Sequence, residues 1–138
     1  MWNLQVLKGL EIAQKVRLDA HAPYSNFLVG AAFKVKGQDK FISGCNVENA
    51  SFGGTVCAER VGIWNWVSQG KPGDTPEFVV LVTDTPDDNV AGPCGMCLQV
   101  LSEFVDADFP LYIANLSGIK KQVTLKDLLP NVFKLEKK

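Results

Sequence analysis

Two short segments carry the side chains best suited to chemistry. Residues 57–59 read Cys-Ala-Glu, and residues 93–97 read Pro-Cys-Gly-Met-Cys. Cys94 and Cys97 are three positions apart, a spacing that places both on one face of a helical turn. Thiolates are strong zinc ligands, and three protein ligands leave the fourth tetrahedral position open for water. The pattern therefore predicts a site that holds one Zn²⁺ per chain through Cys57, Cys94 and Cys97.

Glu59 follows Cys57 by two residues, within reach of a water on such a metal without being a ligand itself. Zinc lowers the pKa of its bound water toward ~7, and a neighbouring carboxylate can take that proton and pass it to a leaving group. Glu59 is therefore the predicted catalytic residue. Three thiolates outweigh the charge of Zn²⁺, and Arg60 is the side chain expected to compensate for this by donating to the sulfurs.

The Cys-x-x-Cys pair also has simpler interpretations, since a redox pair or half of a structural zinc site has the same spacing. Either interpretation leaves Cys57 and Glu59 without a role. Cys45 lies at the end of a predicted strand and is expected to pack as a small apolar side chain. His21 is the only histidine, so a histidine-based metal site or acid–base pair is excluded.

The elements that must position these residues follow from hydrophobic periodicity. Helices are predicted to begin near Thr55 and near Pro93, so both cysteine segments fall in first turns. The positive end of a helix dipole there lowers a thiol's pKa and favours the metal-binding thiolate. The apolar run at residues 78–82 predicts a buried strand between them. The whole chain, residues 1–138, predicts one α/β domain in the order αββαβαββα, a mixed sheet flanked by helices.

Composition excludes several classes of function. The chain has 138 residues, with Lys+Arg 14 against Asp+Glu 15, so no basic excess points to a nucleic-acid partner. Its longest apolar run is far short of the ~20 residues that a membrane span needs. The first residues lack the basic and apolar regions of a secretory leader. We therefore expect a cytoplasmic protein with reduced cysteines and no membrane partner.

Five segments resemble the small zinc-dependent cytidine deaminases of the homotetrameric type. The resemblance covers nearly the whole chain and predicts their layered α/β fold. The Cys-x-Glu and Pro-Cys-x-x-Cys pair is the known signature of zinc nucleobase deaminases in its three-cysteine form. The matching segments are residues 22–32 (APYSNFLVGAA), 44–51 (GCNVENAS), 57–60 (CAER), 93–97 (PCGMC) and 128–133 (LLPNVF).

This resemblance implies hydrolytic deamination of free cytidine and 2′-deoxycytidine to uridine and 2′-deoxyuridine, with release of ammonia, in pyrimidine salvage. It assigns zinc to the three cysteines and proton transfer to Glu59. It also implies substrate contacts: Asn46 and Glu48 to the ribose 3′-hydroxyl, Phe27 to the pyrimidine ring, the backbone around Ala58 and Pro93 to the base edge, and Phe133 to the site of a neighbouring subunit.

Two positions depart from the family pattern. Leu98 stands where arginine is common, which leaves Arg60 alone to compensate the thiolates and predicts a raised pKa for the zinc-bound water. Phe52 stands where tyrosine is common, so one polar contact to a sugar is lost. Two alternatives remain open: a deaminase of another small cytosine nucleoside, such as a nucleoside antibiotic, and a structural zinc or redox protein that uses the Cys-x-x-Cys pair.

Overall fold

A mixed sheet of five strands forms the centre of the molecule. The computed structural model describes residues 1–138, and its helices and strands follow the predicted order αββαβαββα with one 3₁₀ turn (Phe52–Gly54) added. The elements are α1 (Leu4–Arg17), β1 (Gly30–Val35), β2 (Phe41–Cys45), α2 (Ala58–Gln69), β3 (Pro76–Val82), α3 (Gly95–Leu101), β4 (Pro110–Asn115), β5 (Gly118–Thr124) and α4 (Leu125–Leu128).

The strands lie in the order β2-β1-β3-β4-β5. Only β3 and β4 run parallel, and the other neighbours are antiparallel. A parallel pair needs a crossover connection, and α3 lies in the segment that makes it. The predicted apolar run at residues 78–82 lies in β3, the central strand, and all five of its residues are buried. This position explains why apolar residues run continuously there rather than alternating.

Each face of the sheet is covered by different helices. Alternate strand residues point to opposite faces, so Ala32 and Val80 pack beneath α1 while Ala31 and Leu81 pack on the side of α2 and α3. Since α2 and α3 share a face and contact each other, their first turns can meet at one edge of the sheet. No helix of the protein combines the length and the hydropathy that a membrane crossing requires.

Helix α2 lies directly on β2 because glycine occupies both sides of the contact. A β-carbon added to Gly44 would lie 2.3 Å from the backbone nitrogen of Gly62. One added to Gly62 would lie 2.7 Å from the ring of Phe33. Only glycine permits this approach of backbone to backbone. The contact places α2 against β2, and with it the first cysteine segment.

The predicted start of α2 was wrong by two residues. Cys57, not Thr55, is the N-cap, and its side chain makes no capping hydrogen bond. The hydroxyl of Thr55 instead accepts a hydrogen bond from the backbone of Asn49. The next residue, Val56, pairs with Val47 in an isolated β-bridge. These contacts keep the chain extended up to Cys57, so the helix begins immediately after the cysteine.

Candidate active site

The two cysteine segments meet where α2 and α3 begin. Cys57 is the N-cap of α2, Cys94 is the N-cap of α3, and Cys97 lies in the first turn of α3. Their three sulfur atoms lie within 4.8 Å of one another. Tetrahedral zinc with Zn–S bonds of ~2.3 Å holds its sulfurs about 3.8 Å apart, so this cluster matches a zinc site after small side-chain movements.

Hydrogen bonding among the sulfurs favours a thiolate at Cys57. The Cys97 thiol and then the Arg60 guanidinium bond to this sulfur, which lowers the pKa of Cys57 to about 5. The same contact with Cys57, together with burial, raises the pKa of Cys97. The Nη2 atom of Arg60 lies 3.5 Å from Cys57 Sγ, and the bond to this sulfur raises the pKa of Arg60. Arg60 therefore lies beside the sulfur whose pKa is lowered.

The donor set suits zinc of the catalytic kind. Soft thiolate ligands select zinc over magnesium or calcium, and all four cysteines of the chain are free. The metal-ligand cluster contains three residues, whereas structural zinc sites close all four positions with protein ligands. The fourth position is therefore available to water or substrate.

Glu59 lies beside this cluster in the first turn of α2. Its Oε2 atom is 3.6 Å from the sulfur of Cys97, and the residue is only 8% exposed. Burial is the main reason that the pKa of the Glu59 carboxyl is raised. A carboxyl group with a raised pKa gives up an accepted proton less readily to water than an exposed carboxyl does, and so can hold it for transfer. The geometry thus places a buried carboxyl group beside a cluster able to hold a metal ion.

A cavity of about 250 Å³ opens above the cluster. It is slightly smaller than the ≈300–1,000 Å³ typical of pockets for drug-sized ligands, and therefore suits a small metabolite. The predicted residues Phe27, Asn46, Glu48 and Glu59 all line it. The full lining comprises Phe27, Val29, Asn46, Glu48, Thr55, Val56, Cys57, Glu59, Thr83, Ala91, Gly92 and Cys94.

Asn46 holds one wall of this cavity in place. Its Oδ1 accepts from the backbone N–H of Val29 at 2.8 Å, and its Nδ2 donates to the carbonyl of Phe27 at 2.7 Å. Asn46 is buried, while the ring of Phe27 is 39% exposed. The amide keeps one N–H and one lone pair free for a ligand. Asn46 therefore fixes the segment that presents Phe27.

Glu48 holds the loop that precedes this wall. Its carboxylate accepts from the backbone N–H groups of Tyr24 (2.9 Å) and Ser25 (3.3 Å), and from the hydroxyl of Ser25. The bond from the Ser25 hydroxyl is the main reason that the pKa of Glu48 is lowered. A carboxylate has roughly four acceptor positions, so one is left for a ligand hydroxyl.

Four residues singled out from the sequence lie away from the cavity. Phe133 is 66% exposed and does not line it, although its carbonyl accepts from Gln99 Nε2 at 2.9 Å. Phe52 is 85% exposed on the 3₁₀ turn. Leu98 is buried among the core side chains at 6% exposure. Ala58, the fourth, is fully buried and is not among the residues that line the cavity.

Sequence reasoning missed part of the cavity. Thr83 lines it, is 2% exposed, and its hydroxyl lies 2.8 Å from that of Thr85. It follows the buried strand β3 directly, and ligands in α/β folds commonly bind beyond the carboxyl ends of strands. Arg17 was also missed. It donates from Nε to the carbonyl of Leu28 at 2.9 Å, within the segment of residues 27–29 that we call the Phe27 wall. No sequence motif distinguishes it from the other basic residues of α1.

Known proteins are similar to this chain in sequence and in fold. A cytidine deaminase from Halalkalibacterium halodurans is 40% identical over 124 residues, 90% of each chain. The crystal structure of a cytidine deaminase from Burkholderia pseudomallei superposes with a TM-score of 0.82 at 35% identity, covering 96% of this chain and 100% of that one. A blasticidin-S deaminase from Bacillus cereus is 33% identical over 107 residues, 74% of each chain.

The family model described as the cytidine and deoxycytidylate deaminase zinc-binding region matches residues 5–113. That stretch contains every cysteine of the metal-ligand cluster as well as Glu59. It also contains the three predicted contact residues that line the cavity. The chain therefore belongs to the cytidine and deoxycytidylate deaminase family of zinc-binding proteins.

Proposed function

We propose that this protein catalyses the hydrolytic deamination of free cytidine and 2′-deoxycytidine, giving uridine or 2′-deoxyuridine and ammonia. The observation that carries the proposal is the contact between the buried Glu59 carboxylate and a three-sulfur cluster at the end of a small cavity. Two of the three cysteines that would hold the metal line the same cavity as Glu59, as a reaction between water and a bound base requires.

Cys57, Cys94 and Cys97 would hold the zinc ion, and Arg60 would compensate their charge. Zinc bound there would supply a water molecule whose pKa is lowered toward ~7. The cysteines would hold the ion beside the cavity, since Cys57 and Cys94 line it while Cys97 is buried. The 3.5 Å contact from Arg60 to Cys57 supports its role as the compensating cation.

Glu59 would move the protons of the reaction. Its carboxylate would accept a proton from the attacking water and deliver it to N3 of the pyrimidine. It would then take the second proton of the same oxygen, now the hydroxyl on C4, and give it to the departing amine, which leaves as ammonia when the C4–N bond breaks. Burial raises its pKa, so an accepted proton is held for transfer more firmly than on an exposed carboxylate. Its position in the first turn of a helix that is packed on β2 keeps this group in one place.

Phe27, Asn46 and Glu48 would bind the nucleoside. The partly exposed ring of Phe27 offers a flat apolar surface to the base. Asn46 and Glu48 retain free hydrogen-bonding capacity after holding their loops, which is what contact with the ribose 3′-hydroxyl needs. The backbone around Ala58 and Pro93 remains the proposed reader of the base edge.

The charges of the cavity favour a nucleoside over a nucleotide. Its lining contains two carboxylates, Glu48 and Glu59, and neither lysine nor arginine. Phosphate groups in proteins are usually bound by Arg, Lys or helix N-termini. The two helix N-termini at this cavity carry Cys57 and Cys94 of the cluster, so a 5′-phosphate would find no cation among the lining residues and would be repelled by their carboxylates. We therefore assign free nucleosides, rather than nucleoside monophosphates, as the substrates.

Assembly and location are part of the same proposal. A homotetramer in which Phe133 closes a neighbouring site is supported by large apolar side chains left exposed in the single chain, since such patches often mark interfaces. Four free thiols support a reducing, cytoplasmic location, and the reaction would serve pyrimidine salvage. The exposed apolar residues include Phe52, Trp64, Val67 and Phe133.

A second candidate substrate is favoured by one observation, the similarity to a blasticidin-S deaminase. Purified, zinc-loaded protein should be assayed with cytidine, 2′-deoxycytidine, cytidine monophosphate and blasticidin S, by ultraviolet absorbance and released ammonia. The proposal predicts turnover of the first two and none of the monophosphate. Turnover of blasticidin S alone would establish the antibiotic as the substrate, and turnover of none would contradict deamination.

A further inference from the structure

The wall that presents Phe27 belongs to neither a helix nor a strand, and side chains bond its backbone. The N–H of Phe27 donates to the Ser25 hydroxyl at 3.0 Å, and its carbonyl accepts from Asn46. The N–H of Val29 donates to the same amide. All these partners belong to Asn46 or to the loop that precedes the wall. A further hydrogen bond to the backbone of the wall comes from helix α1.

The donor of that bond is Arg17, the last residue of α1. Its Nε donates to the carbonyl of Leu28 at 2.9 Å, and its side chain is only 10% exposed. Its Nη2 lies 3.8 Å from a carboxylate oxygen of Asp84, in the loop that follows β3. The guanidinium therefore connects three segments: the end of α1, the Phe27 wall and the start of the loop on the other side of the cavity.

Helix α1 is itself held rigidly against this wall. A β-carbon on Gly30, the residue after Val29, would lie 2.0 Å from the carbonyl oxygen of Ala13. The last turn of α1 thus touches the backbone of β1 where the wall ends. Because Arg17 belongs to that turn, the backbone that carries its side chain is held in one place. The guanidinium is planar and its donors have a fixed geometry, so the hydrogen bond to Leu28 has a defined direction.

We propose that Arg17 is a positioning residue that sets the Phe27 wall for the substrate base. The inference rests on the proposed deamination of nucleosides. Arg17 is not among the residues that line the cavity, so it acts only through the wall. A loosened wall weakens binding in the ground state and the transition state alike, and such a change raises KM more than it lowers kcat.

The test compares zinc-loaded wild type, Arg17→Met and Lys15→Met with cytidine. Lys15→Met removes a cation from the same helical turn, where the side chain is exposed and makes no ion pair, and should leave KM and kcat unchanged. Ordering a wall side chain on binding costs free energy equivalent to roughly two- to tenfold in affinity. We therefore expect Arg17→Met to raise KM about two- to tenfold, with kcat changed less than twofold.

A double-mutant cycle with Phe27→Ala separates positioning from a general loss of structure. If Arg17 acts through the wall, Arg17→Met adds nothing to KM once the Phe27 ring is absent. Equal KM increases with and without the ring would overturn the inference. Should Arg17→Met fail to fold, Arg17→Lys gives the same comparison, because a single amino group cannot reproduce the planar fork.

The outcomes distinguish this inference from the proposed function. Cytidine turnover by the wild type with an unchanged KM in Arg17→Met would refute the role of Arg17 alone. A fall in kcat at constant KM would also refute it, since that pattern belongs to the chemical step. Wild-type protein that holds zinc but fails to deaminate cytidine would overturn both the proposed function and the inference built on it.

Discussion

Glu59 Oε2 and Cys97 Sγ lie 3.6 Å apart, although 38 positions separate them in the sequence. One residue belongs to the first turn of α2 and the other to the first turn of α3. The two helices lie on one face of the sheet, so this contact is where they converge. The buried carboxyl group and a sulfur of the cluster are therefore positioned by a single packing arrangement, and disturbing either helix should affect both.

Three cysteines form the metal-ligand cluster and Cys45 lies outside it, and this difference gives a direct prediction. Cys97→Ala removes one of three sulfurs from the cluster and should abolish stoichiometric zinc binding and turnover. Cys45→Ala, at the end of β2 and outside the cluster, should keep both. Zinc per chain, measured by elemental analysis after dialysis, checks the difference. A zinc-free Cys45→Ala protein, or a fully loaded Cys97→Ala protein, would contradict the assignment of ligands.

Arg60 should tune the metal site without being a ligand. Losing a group that bonds a ligand typically weakens metal affinity 10- to 100-fold, so Arg60→Met should show a loss of about that size. Arg60→Lys keeps the positive charge near Cys57 and should lose less. Competition with a chromophoric chelator measures both affinities. Equal affinity in wild type and Arg60→Met would show that the guanidinium does not compensate the thiolate charge.

The lowered pKa of Glu48 predicts that the folded protein loses stability in acid. Its bonds to Ser25 and Tyr24 lower its pKa in the folded chain below the unfolded value of about 4.3. The stabilisation is complete above that unfolded value and is lost as pH falls through the folded pKa. In Glu48→Gln the free energy of unfolding should be lower at pH 7, and it should converge on the wild type once the pH falls below the lowered pKa of Glu48. Urea unfolding at each pH measures this, and a difference that stays constant with pH would contradict it.

The glycine contact between α2 and β2 should be intolerant of a single methyl group. Gly44→Ala would force backbone atoms apart, and overpacking of this kind costs about 1–3 kcal/mol or more. Since α2 carries Cys57 and Glu59, activity should fall as well. Gly53→Ala is the matched control because a β-carbon there meets nothing within 4 Å. Thermal melting should show a lower Tm for Gly44→Ala only; equal melting temperatures would argue against the close approach.

The order of elements and the sulfur cluster were predictable from sequence because both depend on local patterns. The apolar run at residues 78–82 and the i, i+3 spacing of Cys94 and Cys97 need no knowledge of distant contacts. The start of α2 was not predictable in the same way. It depends on the pairing of Val56 with Val47 and on a hydrogen bond from Asn49 to Thr55. Such contacts override the capping preference of threonine.

The supports of the cavity wall also escaped sequence reasoning. Helix α1 buries Gly9 and Arg17 as well as the apolar residues Val6 and Ala13. Gly9 packs so closely against β3 that an added β-carbon would lie 2.9 Å from the side chain of Val80. Arg17 can be buried because its guanidinium donates a hydrogen bond to the carbonyl of Leu28. Both reasons lie in tertiary contacts that periodicity does not record.

The most direct test of the account is the zinc content and cytidine turnover of Glu59→Gln. The amide keeps the shape of the side chain and an oxygen near Cys97, so the cluster should bind one zinc per chain as in the wild type. Turnover should fall by at least ~10²–10⁴, the usual contribution of a positioned acid–base group. Glu11→Gln, an exposed change on α1, is the control and should leave both unchanged. A zinc-loaded Glu59→Gln protein that deaminates cytidine at the wild-type rate would contradict the proposed role of Glu59 in proton transfer.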